Sequence, residues 1–239
     1  MNTRIVSVFG RPLPVLGLLF GALLLPTLLV AQAARYPLTS TAGLRPHNVV
    51  VEPARLQGKK GLKVLAAQDS AAPGTALETL VLINNLKFGD GVIEAEIAGD
   101  VRPGAPEGAR GFVGIAFRVQ DDLQTYDAFY LRPTNGRAED QVRRNHAAQY
   151  VAHPDWPWFR LRKEFPSKYE SYVDLVPGTW TKVRIEVHGE QARLFVHDMK
   201  QPALIVNDVK SGANAKGAVA LWIDGGTVAH FRNLVVTGE

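Results

Sequence analysis

Residues 130–172 gather the densest mixture of aromatic and planar hydrogen-bonding side chains in the chain: Tyr130, Arg132, Asn135, Arg143, Arg144, His146, Gln149, Tyr150, His153, Trp156, Trp158, Arg160, Arg162 and Tyr169. That mixture suits sugars, whose ring C–H faces stack on Trp or Tyr while Arg, Asn, Gln and His meet hydroxyls or carboxylates. The plainer alternative is that Trp156, Trp158 and Phe159 cap a core and the arginines form a solvated surface.

Strand alternation sharpens the choice. It sets Tyr126, Tyr130 and Arg132 on one face and Phe129 and Leu131 on the other, with Arg118 of the preceding strand beside the first set. The ligand-binding candidates are therefore Arg118, Tyr130, Arg132, Asn135, Arg143, Arg144, His146, Tyr150 and Trp158. For catalysis, Glu94 and Glu96 are an acidic pair forced onto one face about 7 Å apart by two residues of rise. Glycosidases use carboxylates ~5–9 Å apart, but alternating Glu is equally the mark of a solvent-facing strand. His146 and Glu164 are the other acid or base candidates. A carboxylate buried among the arginines would point to hydrolysis, and an aromatic platform without one to binding.

The remaining chemistry is narrow. There is no H-E-x-x-H, no G-x-S-x-G, no phosphate-binding loop and no dinucleotide fingerprint. No metal site is expected, and no cofactor; the one ion left open is calcium held by loop oxygens such as Asp121, Asp122 or Asp224.

The elements that must position these residues read as strands. Residues 92–97 alternate Ile93, Ala95 and Ile97 against Glu94 and Glu96, and residues 112–119 alternate Val113, Ile115, Phe117 and Val119 against Gly114, Ala116 and Arg118, as a one-sided core strand would. Residues 180–198 form a hairpin about Gly189 and Glu190. Residues 218–223 and 228–236, joined through Gly225 and Gly226, predict a second hairpin that closes the chain, with Trp222 opposite Val219, Leu221 and Ile223. Residues 204–206 predict a short strand, 49–51 and 62–66 edge strands, and 138–150 a helical turn or two. Ten or more short strands with short connections predict an all-β fold of two packed antiparallel sheets.

The first 34 residues differ in kind. Arg4 and Arg11 precede an almost wholly apolar run that ends in Ala31, Gln32 and Ala33, the layout of a signal peptide with a small-residue cleavage site. Residues 35–239 then form one domain, secreted or periplasmic, with no stable membrane insertion after cleavage. Removing residues 1–34 takes two of the 27 basic residues and none of the 23 acidic ones, leaving a formal charge of +2. Near neutrality argues against a nucleic-acid partner. With no cysteine, the domain must stand on its core alone.

The order of GFVGIAFR (111–118), YDAFYLR (126–132), TKVRIEV after Trp180, ARLFV (192–196), GAVALW (217–222) and FRNL (231–234) resembles the concanavalin A-like lectin/glucanase superfamily over residues 78–237. Laminin-G-like modules and the 3-keto-disaccharide hydrolase domain are its nearest look-alikes. The resemblance implies a jelly roll with carbohydrate lying on one concave sheet. A lectin-like domain recognising a polar or acidic glycan is the first expectation. A glycoside hydrolase of the 3-keto-disaccharide type and a laminin-G-like protein-adhesion module are the alternatives, since fold alone does not choose among them.

Overall fold

The computed structural model describes residues 1–3, 10, 33–67 and 77–238. The basic and apolar stretch expected to be a signal peptide lies, over residues 4–9 and 11–32, outside the described residues.

The strands are β1 (Ala33–Tyr36), β2 (Leu44–His47), β3 (Val49–Leu56), β4 (Lys59–Ala66), β5 (Leu80–Ile83), β6 (Gly91–Val101), β7 (Val113–Val119) and β8 (Tyr126–Leu131). They continue as β9 (Ala148–His153), β10 (Glu170–Ser171), β11 (Thr181–His188), β12 (Gln191–Val196), β13 (Leu204–Val206), β14 (Ala218–Ile223) and β15 (Thr227–Gly238). Two short helices, α1 (Gln141–Arg144) and α2 (Trp158–Glu164), flank β9. One sheet runs β13-β12-β11-β6-β15-β4-β3 with β1 on β15; the second runs β10-β9-β8-β7-β14-β5-β2. The two are called sheet A and sheet B below, and their strand pairs are antiparallel.

The core lies between the sheets because period-two alternation supplies each strand with one apolar face. Ile97, Val183, Ile185 and Leu194 of sheet A meet Ile115, Phe129 and Leu131 of sheet B, and all seven are buried. Each such side chain contributes roughly 1.5–3 kcal/mol of burial free energy, enough in sum for a fold without disulfides.

Three expectations are corrected. The closing hairpin does not form: β14 pairs with β5 and β7 in sheet B, while β15 pairs with β6, β4 and β1 in sheet A. The turn at Asp224–Thr227, closed by Thr227 N–H donating to the Asp224 carbonyl at 3.1 Å, carries the chain from one sheet to the other. Both strands have an apolar face, and placing them in opposite sheets lets Val219, Leu221 and Ile223 face the same core as Ala229 and Phe231. Residues 62–66 are not an edge, since β4 sits between β15 and β3. Strand β7 is buried on both faces rather than one; what covers its small outer residues is the candidate site.

Candidate functional site

Strand register lines up one lateral row on the outer face of sheet B. Glu170 pairs with Gln149, Gln149 with Tyr130, Tyr130 with Gly114, Gly114 with Trp222, Trp222 with Leu80, and Leu80 with His47. Paired residues share a face, so these residues from seven strands point the same way. Gly114 has no side chain, and the rings of Tyr130 and Trp222 stack across it with centroids 4.7 Å apart and planes 22° apart. Phe112 meets Tyr130 edge-on at 5.8 Å. The next row is small: Ala128, Ala116 and Ala220 pair in succession, leaving a shallow floor beneath larger neighbours.

One end of the row is a closed polar cluster. Arg132 donates to Glu170 at 3.1 Å, to the Gln149 side-chain oxygen at 2.9 Å, to the Tyr130 hydroxyl at 3.0 Å and to the His146 carbonyl at 2.9 Å. Arg162 of α2 grips the same carboxylate through both Nε and Nη2. Glu170, Arg132, Gln149 and Tyr130 are all buried, and pairing with full hydrogen bonding is what makes such burial tolerable. Burial pushes the Tyr130 hydroxyl up to about 12, against the pull of Arg132. His146, whose Nε2 lies 3.6 Å from Glu170, has its pKa lowered by burial and further by Arg162 and Arg132, with Glu170 acting the other way.

A carboxylate, phenol and imidazole group adjoins the row at Trp222. Trp222 Nε1 donates to the Tyr126 hydroxyl at 3.0 Å. Tyr126 donates to Glu78, and the other oxygen of Glu78 lies 3.1 Å from His153 Nδ1. The Tyr126 ring stacks on His153 at 4.9 Å and 8°. Burial, then the Glu78 charge, raise the Tyr126 pKa. The aromatic pair is thus linked to two carboxylates, Tyr130 to Glu170 through Arg132 and Trp222 to Glu78 through Tyr126.

The expected site residues divide. Tyr130, Arg132 and His146 gather around Glu170, and Trp158 joins from outside: it is 44 % exposed, with the Arg162 guanidinium 4.7 Å from its ring centre. The others lie elsewhere. Tyr150 offers no stacking surface, because its ring is in the core against Phe129 and its hydroxyl donates to Asp127 at 2.5 Å. Arg118 is also buried, since a left-handed φ of 55° at the end of β7 turns it inward. There it clamps the Gly89, Gly189 and Gly212 carbonyls, Ser211 and Asp90. Asn135 is buried beneath His146, and Arg143 holds Asn135 and Thr134. Arg144 lies over Tyr172 at 5.4 Å.

The acid and base candidates also separate. Glu94 and Glu96 share a face as expected, but it is the outer face of sheet A, where Glu96 accepts from Asn233 and pairs with Arg232 and Lys59. Glu164 pairs with Arg160 on the surface of α2. Of the calcium candidates, Asp122 accepts from Gln124 and Thr125 in its own turn and Asp224 from Gly226. Among the described residues no three His, Asp or Glu side chains converge as metal ligands would.

Sequence reasoning did not single out Glu78 or Glu170. Glu78 precedes β5 and Glu170 sits in a two-residue strand, so neither carries a periodicity; only the pairing of distant strands brings them to this face. The test posed by the sequence, buried carboxylate or aromatic platform, finds both.

No protein-family model matches the chain, and no curated protein does. Among solved structures, the chain is similar to a carbohydrate binding module, CBM66, from Bacillus subtilis: 12 % identity over 82 % of this chain and 96 % of that one, with a TM-score of 0.55. It is also similar to a Bacillus subtilis protein of unknown function with a galectin-like fold, at 13 % identity over 85 % and 94 % of the two chains and a TM-score of 0.53. The chain has the concanavalin A-like jelly-roll fold. Within that fold the lateral row runs across the outer face of one sheet from edge to edge. At such identities the likeness establishes the architecture, and the activity has to be argued from the residues.

Proposed function

We propose that this protein is an exported carbohydrate-binding domain whose ligand lies on the outer face of sheet B, against Trp222, whose indole is backed by the buried ring of Tyr130. The observation that carries the reading is the row from Glu170 to His47, which sets a half-buried indole and a phenol ring beside planar donors and acceptors held in one geometry. Sugar sites need such preorganised groups, because a flexible side chain loses rotamer entropy on binding. The likeness in fold to a carbohydrate binding module supports the same reading. The arginines expected to read acidic groups are engaged within the protein, Arg132 by Glu170, Arg118 by backbone carbonyls and Asp90, Arg143 by Asn135 and Thr134, and Arg144 over the Tyr172 ring. That favours a neutral, hydroxyl-rich glycan over an acidic one.

A second reading, glycoside hydrolysis, is favoured by Glu78, a carboxylate hydrogen-bonded to both His153 and Tyr126. Glu170 fits that role poorly, since both its oxygens face guanidinium donors.

A glycan array followed by calorimetry decides. The parent should bind a neutral oligosaccharide without cleaving it. Trp222→Ala should weaken binding by about 1 kcal/mol or more at any salt concentration, and Trp158→Ala by less. Binding unchanged in Trp222→Ala would sink the proposal, and release of reducing ends that stops in Glu78→Gln would move the assignment to hydrolase.

A further inference from the structure

Beyond Tyr126 the outer face opens into a cleft of about 530 Å³ at the end of β8 and β9, within the ~300–1,000 Å³ of small-molecule sites. Its walls include Tyr126, His153, Asp155, Trp156, Lys210 and Lys216. Part of this wall is rigid. Trp156 has the Arg160 guanidinium 3.9 Å and the Lys210 ammonium 4.8 Å from its ring centre, and Lys210 is also tied to Asp208 at 2.9 Å. Other groups are uncommitted: among the described residues the Asp155 carboxylate and the Lys216 ammonium make no hydrogen bond or ion pair, and both residues are exposed. His153 Nδ1 is engaged by Glu78, which fixes the ring and leaves Nε2 as its second polar atom. Tyr126 belongs to both places, since its hydroxyl meets Trp222 in the row and its ring lines the cleft.

We infer that this cleft is a second sugar subsite, and that the ligand is an oligosaccharide whose first unit lies against Trp222 and whose next unit enters the cleft. Asp155 and His153 Nε2 accept hydrogen bonds from hydroxyls of that second unit, and Lys216 donates to its oxygens. The inference rests on the carbohydrate reading above and adds to it a minimum length and a direction of travel, from the row past Tyr126.

The test uses the full chain with four soluble series, cello-, laminari-, xylo- and chito-oligosaccharides, each from monosaccharide to hexasaccharide, measured by calorimetry with competition for weak binders. In the series that binds, affinity should step up between monosaccharide and disaccharide or trisaccharide. Asp155→Asn combined with Lys216→Ala should lower the affinity for the longer sugar about a hundredfold, tenfold for each of two charge-assisted hydrogen bonds, and leave the monosaccharide unchanged. Both substitutions are at exposed sites, and near-UV circular dichroism checks that the fold is kept. Equal affinity for monosaccharide and longer sugars, or a double variant that binds the longer sugar as the parent does, overturns the cleft subsite while leaving the row. Absence of binding in all four series overturns both.

Discussion

Tyr130 and Trp222 lie ring against ring, 4.7 Å apart, although 92 positions separate them in the chain and a third strand, β7, runs between theirs. Gly114 of that strand makes the contact possible. A Cβ there would stand 2.2 Å from the Phe129 carbonyl oxygen and 2.6 Å from the Tyr130 Cβ.

Replacing Gly114 with alanine should therefore destabilise the domain by roughly 1–3 kcal/mol, as overpacked sites do, and part the two rings. Urea unfolding would report the first effect and the Trp222 fluorescence spectrum the second. Parent-like values in both would show that the strand yields without cost.

Glu170 pairs with two guanidinium groups, Arg132 and Arg162. Because Arg132 is itself buried, Glu170→Gln leaves a charge in the protein without its counterion and should cost about 3–5 kcal/mol. Arg132→Met alone should cost a similar amount, and the two together less than their sum. Additive losses in a double-mutant cycle would show that the pair does not act as a unit.

His146 and His230 both have pKa values lowered by burial, helped in His146 by Arg162 and Arg132 and in His230 by Lys63. Each is thus more easily protonated in the unfolded chain, where histidine titrates near ~6.5. As pH falls below that value the unfolded state takes up protons first, so stability should fall until the folded-state pKa values are passed. Urea midpoints measured across this range should slope downward toward acid, and replacing both residues with Asn should flatten the slope. An unchanged slope in the double variant would assign the acid sensitivity elsewhere.

Export with removal of residues 1–34 is a further expectation, from the basic start, apolar run and small-residue ending. Intact mass of the protein recovered outside the cytoplasm should place the new N-terminus at or near Arg35. A mass that includes Met1 would rule out cleavage.

The sequence by itself determined which residues share a face. Ile93, Ala95 and Ile97 against Glu94 and Glu96, and Tyr130 against Phe129 and Leu131, follow from the period of two that any strand imposes, and the all-β sandwich follows from the number and spacing of such strands. It could not determine which strands are neighbours, because pairing between distant segments is decided by how all the apolar faces are buried at once. Hence β14 and β15 looked like a hairpin and entered different sheets, and Glu94 with Glu96 proved to face away from the aromatic row. Alternation also says nothing about where a long side chain ends: Arg118 was expected beside Tyr130, but the left-handed turn of its own backbone directs it into a clamp of carbonyls. Only the tertiary structure brought Glu170 to one end of the row and Glu78 to Tyr126 and His153 beside it, since each joins the site through partners distant in the chain, and no local pattern records such a meeting.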